Sequence, residues 1–137
     1  MTADTKVMVF GTFDRLHDGH RFFLREAEKL GTTLVIVVAR DTMVTLHKKR
    51  LPKKNEQDRV VELSKEFTNA SVVLGDANEY AWQVVEKHQP DVIALGYDQQ
   101  KLLEALEAKR LEFSKPPVLA ILPDHQGERL HSSLLGD

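Results

Sequence analysis

Residues 7–24 read VMVFGTFDRLHDGHRFFL, and within them the pattern changes from strand to helix. Val7, Met8, Val9 and Phe10 are a continuous apolar run of strand formers, as in a buried strand. Gly11 breaks the run. A turn follows Asp14, and His17-Asp18-Gly19-His20 stands at the mouth of a helix that Phe22, Phe23, Ala27 and Leu30 continue at helical spacing. A helix N-terminus carries open N–H groups and the positive end of the helix dipole, so it favours an anion. Two histidines three residues apart share one face of that first turn. They are placed to donate ring N–H bonds to a phosphate, and Gly19, lacking a Cβ, lets a nucleotide lie close to the backbone.

Four further apolar runs follow at Leu34–Ala39, Val72–Leu74, Val92–Leu95 and Val118–Leu122. Helical patterns separate them. The first helix is expected to end at a Gly31 cap. Asn55 is a good N-cap with Glu56 and Asp58 in the first turn, and that helix runs to Phe67 with Val60, Val61 and Leu63 in the core. Asn78 is expected to cap the next helix, with Tyr80, Trp82 and Val85 inward or partly inward and Trp82 as packing rather than a base-stacking platform; Pro90-Asp91 closes it. Gln100–Phe113 is the last long helix, and Lys115-Pro116-Pro117 links it to the fifth run. Five strands alternating with helices predict an α/β fold: a Rossmann-like five-stranded parallel sheet, order 3-2-1-4-5, with helices on both faces and right-handed connections. That order puts the first and fourth strands side by side where the winding reverses, the expected ligand crevice. Gly11–Asp14 and the two histidines follow the first strand, and Gly96-Tyr97-Asp98-Gln99 follows the fourth. The two stretches therefore converge on one place. Gly96 lets a ligand approach the backbone, and Asp98 is either an N-cap or a contact to ribose or base.

The 137 residues suit a single domain with one core. The hydrophobic fraction of 42% and charged fraction of 29% are those of a soluble globular chain. A net charge of −2 gives no general reason to expect nucleic acid or an anionic membrane as partner. No apolar run approaches the length of a transmembrane helix, and the N-terminus lacks a signal-peptide pattern. The absence of cysteine excludes disulfides and thiolate metal sites and fits a cytoplasmic protein. His88, His125 and His131 are too scattered to suggest a metal cluster.

Residues 46–54, LHKKRLPKK, read as a basic loop. Such a run is commonly no more than a solvated face. Because this one leaves the binding edge of the sheet just after Arg40-Asp41, a role in closing over phosphate, with Lys48 and Lys49 among the cations, is favoured. Arg59 reads on its own as a surface ion-pair partner. Ser132 and Ser133 precede Leu134-Leu135 and have the form of a helix cap whose donors can meet phosphate.

The phrase GTFDxxHxGH resembles the signature of the HxGH nucleotidyltransferases, the cytidylyltransferase-like superfamily. Beyond it, VVARD at 37–41, EQDRVVEL at 56–63, VVLGD at 72–76 and PDVIALGYDQ at 90–99 resemble the archaeal-type FAD synthetases, small FMN adenylyltransferases. The resemblance implies transfer of a nucleotidyl group from ATP to the phosphate of FMN, with release of pyrophosphate and with Mg²⁺ accompanying the triphosphate. It implies His17 and His20 as the catalytic pair. Gly11, Thr12, Phe13, Gly19, Arg59, Gly96, Asp98, Gln99, Ser132 and Ser133 would meet the nucleotide. Asp14, Asp41, Lys48 and Lys49 would lie on the acceptor side. No protein metal ligands are assigned. The chain departs from the family pattern where LPKKN replaces the usual segment after the basic loop, and where the basic helix after Ser133 is nearly missing. Dimers are common among related enzymes. Two alternatives stay open: a CTP-dependent enzyme for glycerol 3-phosphate or another small alcohol phosphate (or an adenylyltransferase for a sugar phosphate or phosphopantetheine), and a nucleotide-binding module without turnover.

Overall fold

The computed structural model describes residues 4–123. Five parallel strands form one sheet: β1 (Lys6–Gly11), β2 (Thr33–Val38), β3 (Ser71–Leu74), β4 (Val92–Leu95) and β5 (Val118–Ile121). Their order is β3-β2-β1-β4-β5, as the alternation predicts. Five helices connect them: α1 (Asp18–Glu28), α2 (Asp41–Lys48), α3 (Glu56–Glu66), α4 (Gln83–His88) and α5 (Gln100–Lys109), the last extended by a 3₁₀ turn over Arg110–Glu112.

The strand periodicity divides the core into two. Val7 and Val9 of β1 join Leu34, Ile36 and Val38 of β2 beneath α1 and α3, where Leu24, Ala27, Leu63 and Phe67 are buried. Met8 points the other way, with Val35, Val37, Ile93 and Leu95, against α4 and α5 and the buried Trp82, Leu106 and Phe113. Each fully buried aliphatic side chain contributes about 1.5–3 kcal/mol relative to exposure, so the paired faces hold the sheet rigid under its carboxyl edge. Arg21 and Arg25 both reach Glu66, at 2.8 and 3.4 Å, and tie α1 to α3 across the first face.

Several local expectations are corrected. Residues 41–48, part of which read as basic loop, are the helix α2. Its one buried anchor is Val44, and Asp41 at its start with His47 and Lys48 at its end suit the helix dipole. The loop proper begins at Lys49, which closes α2 in the left-handed region. Lys29, not Gly31, caps α1. Asp76, not Asn78, serves α4, its carboxylate accepting from the Val84 N–H at 3.0 Å. Val61 is half exposed rather than in the core, and Tyr80, also half exposed, is only partly inward.

Candidate active site

At the carboxyl end of β1 the chain turns through Gly11, Thr12 and Phe13. Phe13 is buried yet adopts φ 55°, a left-handed conformation costing on the order of 1–3 kcal/mol for a residue other than glycine. Its ring folds back over Gly11 so closely that a Cβ there would lie 2.5 Å from the Phe13 Cζ. Glycine is required at position 11 for that contact. The same ring meets His20 edge-on, with centroids 5.3 Å apart.

His17 is the N-cap of α1. Its Nδ1 accepts from the Gly19 N–H at 3.1 Å and the His20 N–H at 3.4 Å. His20 returns the bond, its Nδ1 accepting the His17 N–H at 3.3 Å. This is a capping box with imidazoles in both roles. An Nδ1 that accepts a hydrogen bond leaves the proton of the neutral ring on Nε2. The helix cap therefore fixes both tautomers and turns each ring into an Nε2–H donor. The rings stack with centroids 3.7 Å apart and planes 21° from parallel, and both line one cleft. The motif histidines thus use Nδ1 to build the helix end and carry the proton of the neutral ring on Nε2.

The opposite wall of the cleft comes from the end of β4, with Gly96, Tyr97, Asp98 and Gln99 along it. The cleft is open to solvent and holds about 90 Å³ of water-accessible space. It opens at the carboxyl edge between β1 and β4, the switch point of the sheet. It gathers nine of the expected residues: Gly11, Thr12, Phe13, His17, Gly19, His20, Gly96, Asp98 and Gln99. Tyr97, within the second turn, lines it too, and so do Phe22 and Phe23, which were not expected there. The doubled phenylalanine was the available signal, since two adjacent helical residues do not both face one core. Asp98 does not cap α5; Gln99 holds that position and makes no side-chain cap bond.

Arg59, Asp14, Asp41, Lys48 and Lys49 lie outside the cleft lining. The surface ion pair read at Arg59 is corrected: it is fully buried. Its guanidinium donates to the carbonyls of Thr12 (2.9 Å), Ala39 (2.7 Å) and Lys54 (3.0 Å) and to the Asp41 carboxylate (2.6 Å). It fastens the β1 turn, the end of β2, the basic loop and the start of α2 to one another, so its guanidinium is not presented to a phosphate in the cleft. Asp41 and Glu56 exchange helix caps, each carboxylate accepting the other's backbone N–H, at 2.7 and 3.3 Å. Asp14 accepts the N–H groups of Lys53 and Lys54, both at 2.9 Å, and so pins the basic loop to the β1 turn. Burial opposes ionisation of Asp14, but those two bonds and the charges of Arg59 and Arg50 prevail and lower its pKa. Ser132 and Ser133 lie outside the described residues, as do Leu134 and Leu135.

Among the described residues no three His, Cys, Asp or Glu side chains stand together as a metal cage. The cleft nonetheless suits a hard divalent ion brought in on a polyphosphate, which keeps its waters and needs few protein ligands; Asp98 is the one carboxylate on the cleft lining. No helix of the described residues is long and apolar enough to cross a membrane.

A sequence profile described as cytidylyltransferase-like matches residues 8–135. The chain belongs to the cytidylyltransferase-like family. Within it, the chain is 48% identical over 94 residues to a FAD synthase of Ferroglobus placidus, covering 69% of this chain and 60% of that protein. It is also 48% identical over 97 residues to a FAD synthase of Aciduliprofundum boonei, covering 69% and 62%. This cytidylyltransferase-like chain thus spans about three-fifths of the length of these curated relatives. Among solved structures, a lipopolysaccharide core biosynthesis protein from Thermoplasma volcanium superposes with a TM-score of 0.76 at 30% identity, covering 90% of this chain and 99% of that one.

Proposed function

We propose that this cytidylyltransferase-like protein is an FMN adenylyltransferase, joining ATP and FMN to make FAD and pyrophosphate in the cytoplasm. The observation that carries the chemistry is the reciprocal His17–His20 cap, which sets two imidazoles side by side at a helix N-terminus on one cleft. The choice of acceptor is supported by the 48% identity to FAD synthases.

A phosphate oxygen of FMN attacks the α-phosphorus of ATP. A new P–O bond forms, the bond from the α-phosphorus to the bridging oxygen breaks, and pyrophosphate leaves with the electron pair. The acceptor phosphate is already ionised at neutral pH, so no general base is needed. His17 and His20 donate to the oxygens on which charge develops. One such donor contributes on the order of 10²–10³ in rate, and the remainder comes from alignment. Gly11, Thr12, Phe13 and Gly19 let the triphosphate lie against the turn; Gly96 and Asp98 face the nucleoside. Phe22, Phe23 and Tyr97 give the cleft apolar walls suited to planar rings. Lys48, Lys49 and the loop that Asp14 pins supply positive charge to the FMN phosphate, with Asp41 and Arg59 positioning that segment. Ser132 and Ser133 stay assigned to the triphosphate by resemblance. A divalent ion bound through phosphate oxygens and water would neutralise charge on the departing pyrophosphate.

The test is pyrophosphate release from the purified protein with Mg²⁺, crossing ATP and CTP against FMN and glycerol 3-phosphate. Release with ATP and FMN alone is expected. Release only with CTP and glycerol 3-phosphate would move the protein to the cytidylyltransferases proper, and no release from any pair would overturn the reading as an enzyme of these substrates.

A further inference from the structure

β1 and β4 are neighbours in the sheet but do not pair along their whole length. Their register covers only Val7↔Val92 and Met8↔Ile93. On its other side β1 stays paired with β2 to Gly11↔Val38, and β4 stays paired with β5 to Leu95↔Ile121. Past Met8 and Ile93 the sheet therefore splits between these two strands, and the cleft opens in the split. A split ladder strands backbone groups that must find partners elsewhere. The Gln99 side chain meets one on each side: its Oε1 accepts the Gly96 N–H at 2.9 Å, and its Nε2 donates to the Phe10 carbonyl at 2.9 Å. The orientation of the amide is forced, since an N–H needs an acceptor and a carbonyl needs a donor.

We infer that Gln99 is a positioning residue, a side-chain amide standing in for the peptide group that the split sheet lacks, which sets the separation of the two cleft walls. A primary amide is the one side-chain group that offers a donor and an acceptor as a backbone peptide does. At position 99 it arises from the turn after β4 and reaches back to β1. With one N–H and one oxygen lone pair spent on the protein, the role inferred for the Gln99 amide is to position the walls rather than to read the nucleotide base. This revises the nucleoside contact expected of Gln99, and it rests on the adenylyltransferase reading only for its consequence in catalysis.

Two substitutions test it. Gln99→Met keeps the side chain's length and loses both bonds. Gln99→Glu keeps an acceptor for Gly96 and turns a carboxylate oxygen toward the Phe10 carbonyl. In the ligand-free protein, amide exchange at Gly96 should quicken about tenfold in Gln99→Met, the effect of losing one hydrogen bond. It should stay near the wild-type rate in Gln99→Glu, with Ile93 and Ala94 unchanged in both. With substrates, both variants should raise the KM for the nucleotide about tenfold and leave the ATP-to-CTP ratio of kcat/KM where it was. Equal Gly96 exchange in Gln99→Met and wild type, or Gly96 protection lost equally in both variants, overturns the inference. So does a shifted ATP-to-CTP ratio, which would mean direct reading of the base. The exchange measurement needs no substrate, so a protein without turnover would sink the adenylyltransferase reading and leave this test standing.

Discussion

Replacing Arg59 with methionine should cost the fold more than any change at the cleft surface. The guanidinium is fully buried and serves three carbonyls and one carboxylate. A methionine fills much of the space and satisfies none of them. Each buried carbonyl left without a donor costs about 1 kcal/mol or more. The Asp41 carboxylate is about one-third exposed, so water recovers part of its loss and the charge term falls below that of a fully buried pair. The sum is on the order of 3–5 kcal/mol, a large share of the roughly 5–15 kcal/mol that holds a domain together. At about 4 °C per kcal/mol for a chain of this size, the Tm should fall by about 12–20 °C. Arg59→Lys should lose about half as much, because an ammonium keeps the charge and up to three bonds but lacks the planar fork. Thermal and urea melts of the ligand-free protein measure both variants. A Tm within about 3 °C of wild type for Arg59→Met would refute the account of Arg59 as the fastening of the β1 turn, since about 3 kcal/mol is the least the geometry allows.

The double use of the histidines separates by substitution at position 17. His17→Asn keeps a good N-cap and removes the Nε2–H donor, so turnover should fall about 10²-fold or more with little change in Tm, whereas His17→Ala should lose about 1 kcal/mol of stability as well; melts beside pyrophosphate release check this, and near wild-type turnover in His17→Asn would remove the donor role. Gly11→Ala pushes a methyl group to 2.5 Å from the Phe13 ring and should cost about 1–3 kcal/mol, read in the same melts together with weaker ATP binding by calorimetry. Stability should also fall in acid in two steps. Burial, with the charges of Lys6 and Lys87, lowers the pKa of His88 from its usual 6.5. A hydrogen bond from Lys115 and the Lys6 N–H lower that of Asp91, and Asp14 is lowered likewise, both from 3.8. In each case the unfolded chain binds the proton more readily, so the stabilisation present above the unfolded value is lost as pH drops through the folded one. Urea midpoints should be level above pH 7, decline below about 6.5 and decline again below about 3.8; a midpoint that rises on acidification would contradict all three assignments.

The sheet was legible because its strands are buried on both faces. VMVF, LVIVV and VIAL leave no polar face for a helix to show to water, and the strand order follows once the helices are counted. The helix α2 was not legible, for the opposite reason. It buries only Val44, so no apolar stripe marks it, and the cations at its end read as loop. Asn78 and Gly31 look like caps by composition, but capping is decided by which atom reaches the helix end. Asp76 reaches from seven residues before the helix begins.

The same distinction runs through the site. His17, His20 and the two turns were found because their chemistry is local: strand, turn and helix mouth lie within fourteen residues of sequence, and the sheet order brings the second turn beside the first. Arg59 and Gln99 carry as much of the geometry, yet each also has partners in segments about twenty to ninety residues away, and nothing in their neighbours names those distant partners. A motif predicts which side chains gather at a cleft. It does not predict which atoms are already committed to holding the cleft in shape. At His17 and His20 that commitment takes Nδ1, and at Gln99 it takes one bond at each end of the amide. At Arg59 three of the four bonds are to backbone carbonyls, so the charge implied for phosphate is used to join four segments instead. Under the proposed adenylyltransferase reading, the positive charge offered to an acceptor phosphate then falls to the loop that Asp14 pins. Acceptor binding should accordingly depend on a loop held by backbone N–H bonds to one carboxylate, and Asp14→Asn should weaken it without any contact to ligand being lost.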